Sequence, residues 1–214
     1  MSKNLKDKLT VVVLGRSGSG KGTQARFIVA RLKKDGVHHM ETGRFLRELL
    51  QKDNVTTILA REMDKKGSLF PSWFPVYTWL REIIEHGYAD RHFVFDGAPR
   101  RLSEAKLLDE VIEWHGRSLP LCIYVDVSRT EARKRLLNRM RSGSRADDNP
   151  KAIENRLDYF PRDVIPVIHY YQKHNRLVRV NGEQAPELVA REIDAALAKR
   201  LRKLWPSPSR QKRK

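Results

Sequence analysis

Thr10-Val11-Val12-Val13-Leu14-Gly15-Arg16-Ser17-Gly18-Ser19-Gly20-Lys21-Gly22-Thr23-Gln24 decides the fold. The first five residues read as a buried strand, and the glycines after them let backbone N–H groups converge on phosphate oxygens with no Cβ in the way. The spacing is Gly-x-x-Gly-x-Gly-Lys-Gly-Thr, a variant of Gly-x-x-x-x-Gly-Lys-[Ser/Thr] with the hydroxyl one place late, at Thr23. In such a loop Gly18, Ser19, Gly20 and Gly22 would cradle phosphates. Lys21 would add a point charge near the β/γ-phosphates, and Thr23 would reach Mg²⁺. From Thr23 to Lys34, Ala25, Ile28, Val29 and Leu32 fall on one helical face, which supplies the strand-loop-helix context that a phosphate loop needs.

A chain of 214 residues is long enough for one well-buried core but not for two equal domains. With 40% hydrophobic and 32% charged residues, it has no apolar run near the ~18 residues of a membrane span. Met1 to Lys8 is basic, but the apolar run after it is short and leads into the glycine loop, so no signal peptide is expected. The one cysteine, Cys122, excludes an internal disulfide and sits in Leu121-Cys122-Ile123-Tyr124-Val125, where it packs as a small apolar residue. The cytoplasm is the expected compartment. A formal charge of +17 should attract anions, nucleotides first and RNA second, although no zinc-finger spacing or aromatic-glycine RNA motif is present.

Further along, a short strand is expected over Val37 to Met40, then helices over Thr42 to Gln51 and Val55 to Lys65, the latter stopped by Gly67. The aromatic stretch Ser68 to Trp79 reads as a packed junction, with stacking of Phe70 on a base as the alternative, and a helix follows from about Pro75 to His86. His92 to Phe95 and Leu119 to Val127 read as buried strands, each followed by a helical segment. A helix over Thr130 to Met140 comes next. Pro150 to His174 is mostly helical, with kinks expected at Pro161 and Pro166. The last strand is Leu177 to Val180 and the last helix Pro186 to Leu204. Alternating strands and helices predict a parallel five-stranded sheet covered on both faces, with ligands beyond the carboxyl ends of the strands. Residues 205–214 should be a disordered basic tail, solvated, with RNA or ribosome contact as the alternative.

A hydrophobic strand ending in Asp96 supplies the carboxylate that would hold Mg²⁺, directly or through its waters, beside Thr23. Arg47, Arg100, Arg135, Arg139, Arg145 and Arg156 fall in the ligand-side segments. Planar, permanently charged guanidinium groups suit a phosphoryl transfer between two phosphorylated ligands. Arg133, Lys134 and Arg141 are read as surface charge.

Gly15 to Gln24, Thr42-Gly43-x-x-Leu46-Arg47, Asp96-Gly97-x-Pro99-Arg100, Asp126-Val127 with Arg135 and Arg139, and Arg145-x-Asp147-Asp148-Asn149 with Arg156 follow one another in order. Together they resemble adenylate kinases and related nucleoside monophosphate kinases in their short-lid form. The resemblance implies reversible transfer of the γ-phosphoryl of Mg·ATP to a nucleoside monophosphate. It also implies a P-loop core (1–40, 72–140 and 148–204), a monophosphate-binding insert (41–71) and a short lid (141–147), acting as a monomer. The loop residues with Arg135 and Arg139 would hold the donor. Thr42, Arg47, Phe70, Gly97, Arg100 and Glu104 would hold the acceptor, and Asp96 and Thr23 the metal. Lys21, Arg100 and Arg139, with Arg145 and Arg156 from the lid side, would carry the transfer, which is positioning plus charge stabilisation without a side-chain nucleophile. The lid lacks a cysteine cluster, so it holds no structural zinc.

Arg44, Ala98 and Glu104 stand where the family usually has Asp, Phe and Gln, and Arg101 where Thr is common. Glutamine can both donate to and accept from an adenine edge, whereas ionised glutamate only accepts. AMP is therefore not the necessary acceptor, and a guanine or uracil edge is the alternative. Two other readings are a P-loop switch protein and an RNA- or ribosome-associated NTPase. Against the switch, the guanine-reading Asn-Lys-x-Asp motif is missing and Thr42, Arg47 and Arg100 would have no task.

Overall fold

The computed structural model describes residues 8–86, 90–143 and 149–204; Arg145 and the expected tail 205–214 lie outside the described residues. Five strands, β1 (Thr10–Leu14), β2 (Val37–Glu41), β3 (His92–Asp96), β4 (Leu121–Asp126) and β5 (Leu177–Asn181), form one parallel sheet in the order β2-β3-β1-β4-β5. The helices among the described residues are α1 (Lys21–Leu32), α2 (Thr42–Leu49), α3 (Val55–Lys65), α4 (Trp73–His86), α5 (Leu102–Trp114), α6 (Arg129–Arg141), α7 (Pro150–Tyr159), α8 (Ile165–Lys173) and α9 (Pro186–Leu204).

Alternation along β1 divides the core between the two faces of the sheet. Val11 and Val13 pack with Ala25, Ile28 and Leu32 of α1 and with Val189, Ile193 and Leu197 of α9. Val12 and Leu14 face the other way, against Trp79 and Ile83 of α4, Leu108 and Ile112 of α5, and Val167, Ile168 and Tyr171 of α8. A strand buried on both faces needs a continuous apolar run, which is why the Val-Val-Val-Leu stretch marks the sheet centre. Cys122 of β4 is fully buried in this core, and burial pushes its thiol pKa well above the ordinary value.

The expected elements are found with shifted ends. α1 begins two residues before Thr23, because Gly20 closes the loop as the residue just before the helix, and a 3₁₀ turn over Lys33–Asp35 follows it. α4 begins at Trp73, so Pro75 occupies its first turn, where a missing N–H does no harm. The long helical stretch after Pro150 is broken once: Pro161 falls in a five-residue π-helical turn, Phe160–Val164, while Pro166 sits in the first turn of α8. α2 and α3 enclose a small core of their own, Leu46, Leu50 and Ala60, closed by Phe74 of α4, while Phe45 of α2 packs against the main core.

At the amino end of the sheet, the Leu9 N–H donates to His92 Nδ1 at 2.8 Å. Burial, with Lys8 and Arg117 nearby, lowers the His92 pKa from 6.5 to about 4. The unfolded chain therefore binds the extra proton first, so the stability this site contributes is complete above pH 6.5 and is lost as pH falls towards 4. A depression of that size corresponds to on the order of 3 kcal/mol across the window. In His92→Asn a carbonyl oxygen replaces Nδ1 as acceptor and does not titrate. The thermal midpoint should fall less between about pH 7 and pH 4.5 in this variant than in the native chain, and equal falls would refute the assignment.

Candidate active site

The carboxyl ends of β1 and β3 bring the loop and Asp96 together. Val13 pairs in register with Asp96, and the Asp96 Oδ2 lies 3.2 Å from where a Cβ on Gly22 would stand. The glycine keeps that carboxylate against the first turn of α1, beside Thr23. Gly18 has φ +82°, and a Cβ there would come within 2.6 Å of the Ala132 carbonyl oxygen, so the loop can lie on α6 only with glycine at this place. Lys21 starts α1, and its Nζ donates to the Arg16 carbonyl oxygen at 3.4 Å. The Ser19 hydroxyl is buried without a hydrogen-bond partner, a state that costs about 1–3 kcal/mol and that a ligand oxygen would relieve.

Directly after Asp96, Gly97 has φ +85° and turns the chain out of β3. Arg100 folds back over this turn: its Nε donates to the Gly97 carbonyl oxygen at 2.7 Å and its Nη1 to the Tyr159 hydroxyl at 3.5 Å. Lys21, Gly97, Arg100 and Tyr159 line one cavity of about 20 Å³, room for a single water-sized group. Thr42 opens α2, 1% exposed, and its hydroxyl likewise lacks a partner. Arg47 follows on the same helix, half-exposed, with Nη2 donating to Glu41 Oε1 at 3.3 Å.

Glu104 is the third residue of α5 and only 2% exposed. Its Oε2 accepts from the Arg100 backbone N–H at 2.7 Å, so the carboxylate serves the open end of the helix. Burial raises its pKa, opposed by the backbone N–H and guanidinium group of Arg100 and by Arg101. Phe70 is packed in the junction, edge-on to Phe74 at 5.2 Å between ring centroids, and its carbonyl oxygen accepts from Arg101 at 2.9 Å.

α6 and α7 pack together around Val127, Ala132, Leu136, Ile153 and Leu157. Arg135 is ion-paired to Glu131 at 2.7 Å and donates to the Gly182 carbonyl oxygen at 3.0 Å, which fixes it against the turn after β5. Arg139 is half-buried on the same helix, and Arg156 of α7 is 7% exposed. Three residues at the site went unmarked in the sequence: Tyr159, Phe160 and Arg16. Arg16 lies over the Phe160 ring at 4.3 Å and donates to the Val127 carbonyl oxygen at 3.1 Å. Their only signal was nearness to Pro161 and to the loop glycines.

Oxygen donors alone, from Thr23 and Asp96, suit a hard cation such as Mg²⁺. No cluster of three His, Cys, Asp or Glu that could hold a metal exists among the described residues, so the ion would rely mainly on substrate phosphates and water. No helix of the described residues is long and apolar enough to cross a membrane.

Residues 13–176 match the profile of a family described as adenylate kinase. Adenylate kinase 1 of Nostoc sp. is 30% identical over 187 residues, 87% of this chain and 97% of that protein. The adenylate kinase of Thermus thermophilus is 32% identical over 87% of this chain and 96% of its own. Human adenylate kinase isoenzyme 5 is 35% identical over 87% of this chain, which spans 32% of that longer protein.

Proposed function

Because the chain belongs to the adenylate kinase family, and is therefore a phosphotransferase that passes the γ-phosphoryl of Mg·ATP to a nucleoside monophosphate, we propose that its acceptor is AMP and assign the site residue by residue. The switch and RNA-associated readings are not favoured by this membership. The observation that carries the assignment is that Lys21 of the donor loop and Arg100 of the acceptor turn line one cavity.

Gly18, Ser19, Gly20, Lys21, Gly22 and Thr23 hold the donor phosphates, and Arg135 and Arg139 flank the donor nucleotide. Thr42, Arg47, Gly97 and Arg100 hold the acceptor phosphate. Thr23 and Asp96 would hold Mg²⁺, which neutralises phosphate charge when bound. Arg100, Arg139 and Arg156 spread over the transferring group, where planar donors meet the charge that develops on its oxygens; the expected fourth arginine, Arg145, lies outside the described residues. The insert (41–71) closes over the core and excludes water that would otherwise hydrolyse ATP, while most of the expected lid (141–147) lies outside the described residues. The protein works as a monomer in the cytoplasm.

AMP is supported by the names of the relatives and by the engagement of Glu104 with the Arg100 backbone, which leaves it a supporting role in the acceptor pocket. Monophosphate-dependent ADP production across AMP, GMP, CMP, UMP and dTMP tests this. AMP should be turned over at least about tenfold faster than the others, in the native chain and in Glu104→Gln alike. A native preference for GMP or UMP that Glu104→Gln reverses would make Glu104 the base reader and refute the AMP assignment.

A further inference from the structure

The C-terminal end of α3 is seated on the N-terminal end of α7 by contacts neither helix needs for itself. Asn149 Oδ1 caps α7 by accepting from the Ala152 N–H at 2.9 Å, while its Nδ2 donates to the Lys65 carbonyl oxygen at 3.2 Å. Asn155 Nδ2 donates to the Lys66 carbonyl oxygen at 2.7 Å. Both carbonyls belong to the α3 end, where the helix supplies no further N–H. α3 itself is closed locally, by Gly67 N–H to the Asp64 oxygen at 2.8 Å and Ser68 N–H to the Met63 oxygen at 3.1 Å, with Gly67 at φ +66°. A Cβ on Gly67 would stand 2.5 Å from the Ala152 carbonyl oxygen, so the helices approach to this distance only because residue 67 is glycine. The partial negative end of one helix meets the partial positive end of the other.

The two helices belong to opposite halves of the site. α3 packs with α2, which carries Thr42 and Arg47. α7 packs with α6, which carries Arg135 and Arg139, and itself carries Arg156 next to Asn155. A second bridge runs parallel to the first: Arg101 donates to the Phe70 carbonyl oxygen at 2.9 Å and pairs with Asp163 of the π-helical turn at 3.6 Å. The seam thus ties acceptor-side backbone to the helix of a donor-side arginine, 84 and 89 residues away in sequence.

We propose that Asn149 and Asn155 are positioning residues for phosphoryl transfer, holding the acceptor-binding insert in register with Arg156 so that acceptor phosphate and guanidinium meet the moving group together. With the seam cut, substrates still bind, but the insert and α7 drift relative to one another, and the reactive geometry is reached less often.

The proposal rests on the reading of Arg156 as a group that contacts the phosphoryl, and the test separates the two. Asn149→Asp keeps the Oδ1 cap of α7 but replaces the donor to Lys65 by an acceptor; Asn155→Asp does the same towards Lys66. Each should lower kcat about tenfold, with KM for ATP and AMP within about twofold and the thermal midpoint near the native value. In an Arg156→Lys background the same substitutions should lower kcat much less, since both act through one group. Native kcat in the folded Asp variants, or an equal loss in both backgrounds, overturns the coupling alone. Native kcat in Arg156→Lys overturns the reading of Arg156 and the coupling with it.

Discussion

Lys21→Met is expected to lower phosphoryl transfer about a thousandfold while leaving the fold intact, the range seen when one preorganised charge is removed from a developing anion. Lys21 is the first residue of α1, half-buried, with its Nζ on the loop carbonyl of Arg16 and its side chain lining the cavity shared with Arg100. Methionine keeps an unbranched apolar stem, one atom shorter, and deletes the charge together with the Nζ donor to Arg16. The loop conformation rests mainly on glycine backbone angles and on the contact of Gly18 with α6, and the ammonium group adds to it only one long hydrogen bond, to the Arg16 carbonyl oxygen. Monophosphate-dependent ADP production, followed with the thermal midpoint, checks this. Activity within tenfold of native would remove Lys21 from the transfer.

Arg100→Lys should reduce kcat about a hundredfold although charge is conserved. Arg100 uses Nε to hold the Gly97 carbonyl oxygen at 2.7 Å and turns the rest of its fork towards Tyr159 and the cavity. A lysine ammonium group carries its three donors on a single nitrogen, so it cannot hold the Gly97 carbonyl and also present a rigid planar pair of donors to two phosphate oxygens. The Arg100 backbone N–H that binds Glu104 is untouched, so the start of α5 should survive. Single-turnover transfer rates would separate this from a binding defect. Native kcat with only a raised KM for the monophosphate would place Arg100 in binding alone.

The glycine loop, the central strands and the place of Asp96 at the end of β3 were legible in the sequence because each carries a local signal. Glycines sit where φ is positive, apolar runs sit where a strand is buried twice, and Asp96 directly follows such a run. Glu104 was only half legible. Its place after Pro99-Arg100 marked it for attention, but its task at the start of α5 depends on that helix beginning at Leu102, which no residue type announces. Phe70 read as a packed junction from its aromatic neighbours, and its ring is in fact edge-on to Phe74. The seam between α3 and α7 was not legible at all. Asn149 and Asn155 are ordinary polar residues, and their partners are backbone carbonyls, which have no sequence identity to read.

Cys122 is the one thiol in the chain, fully enclosed in β4 and held in its unreactive protonated form by burial. The molecule is therefore chemically silent towards thiol reagents while folded. A cysteine introduced on the exposed side of α3, at Leu59, and another on α9, at Leu188, would be the two reactive positions. Attached probes would report the distance between α3 and α9 during turnover without any native cysteine being removed. Cys122 would react only on unfolding, so its labelling rate reports global opening in the same sample.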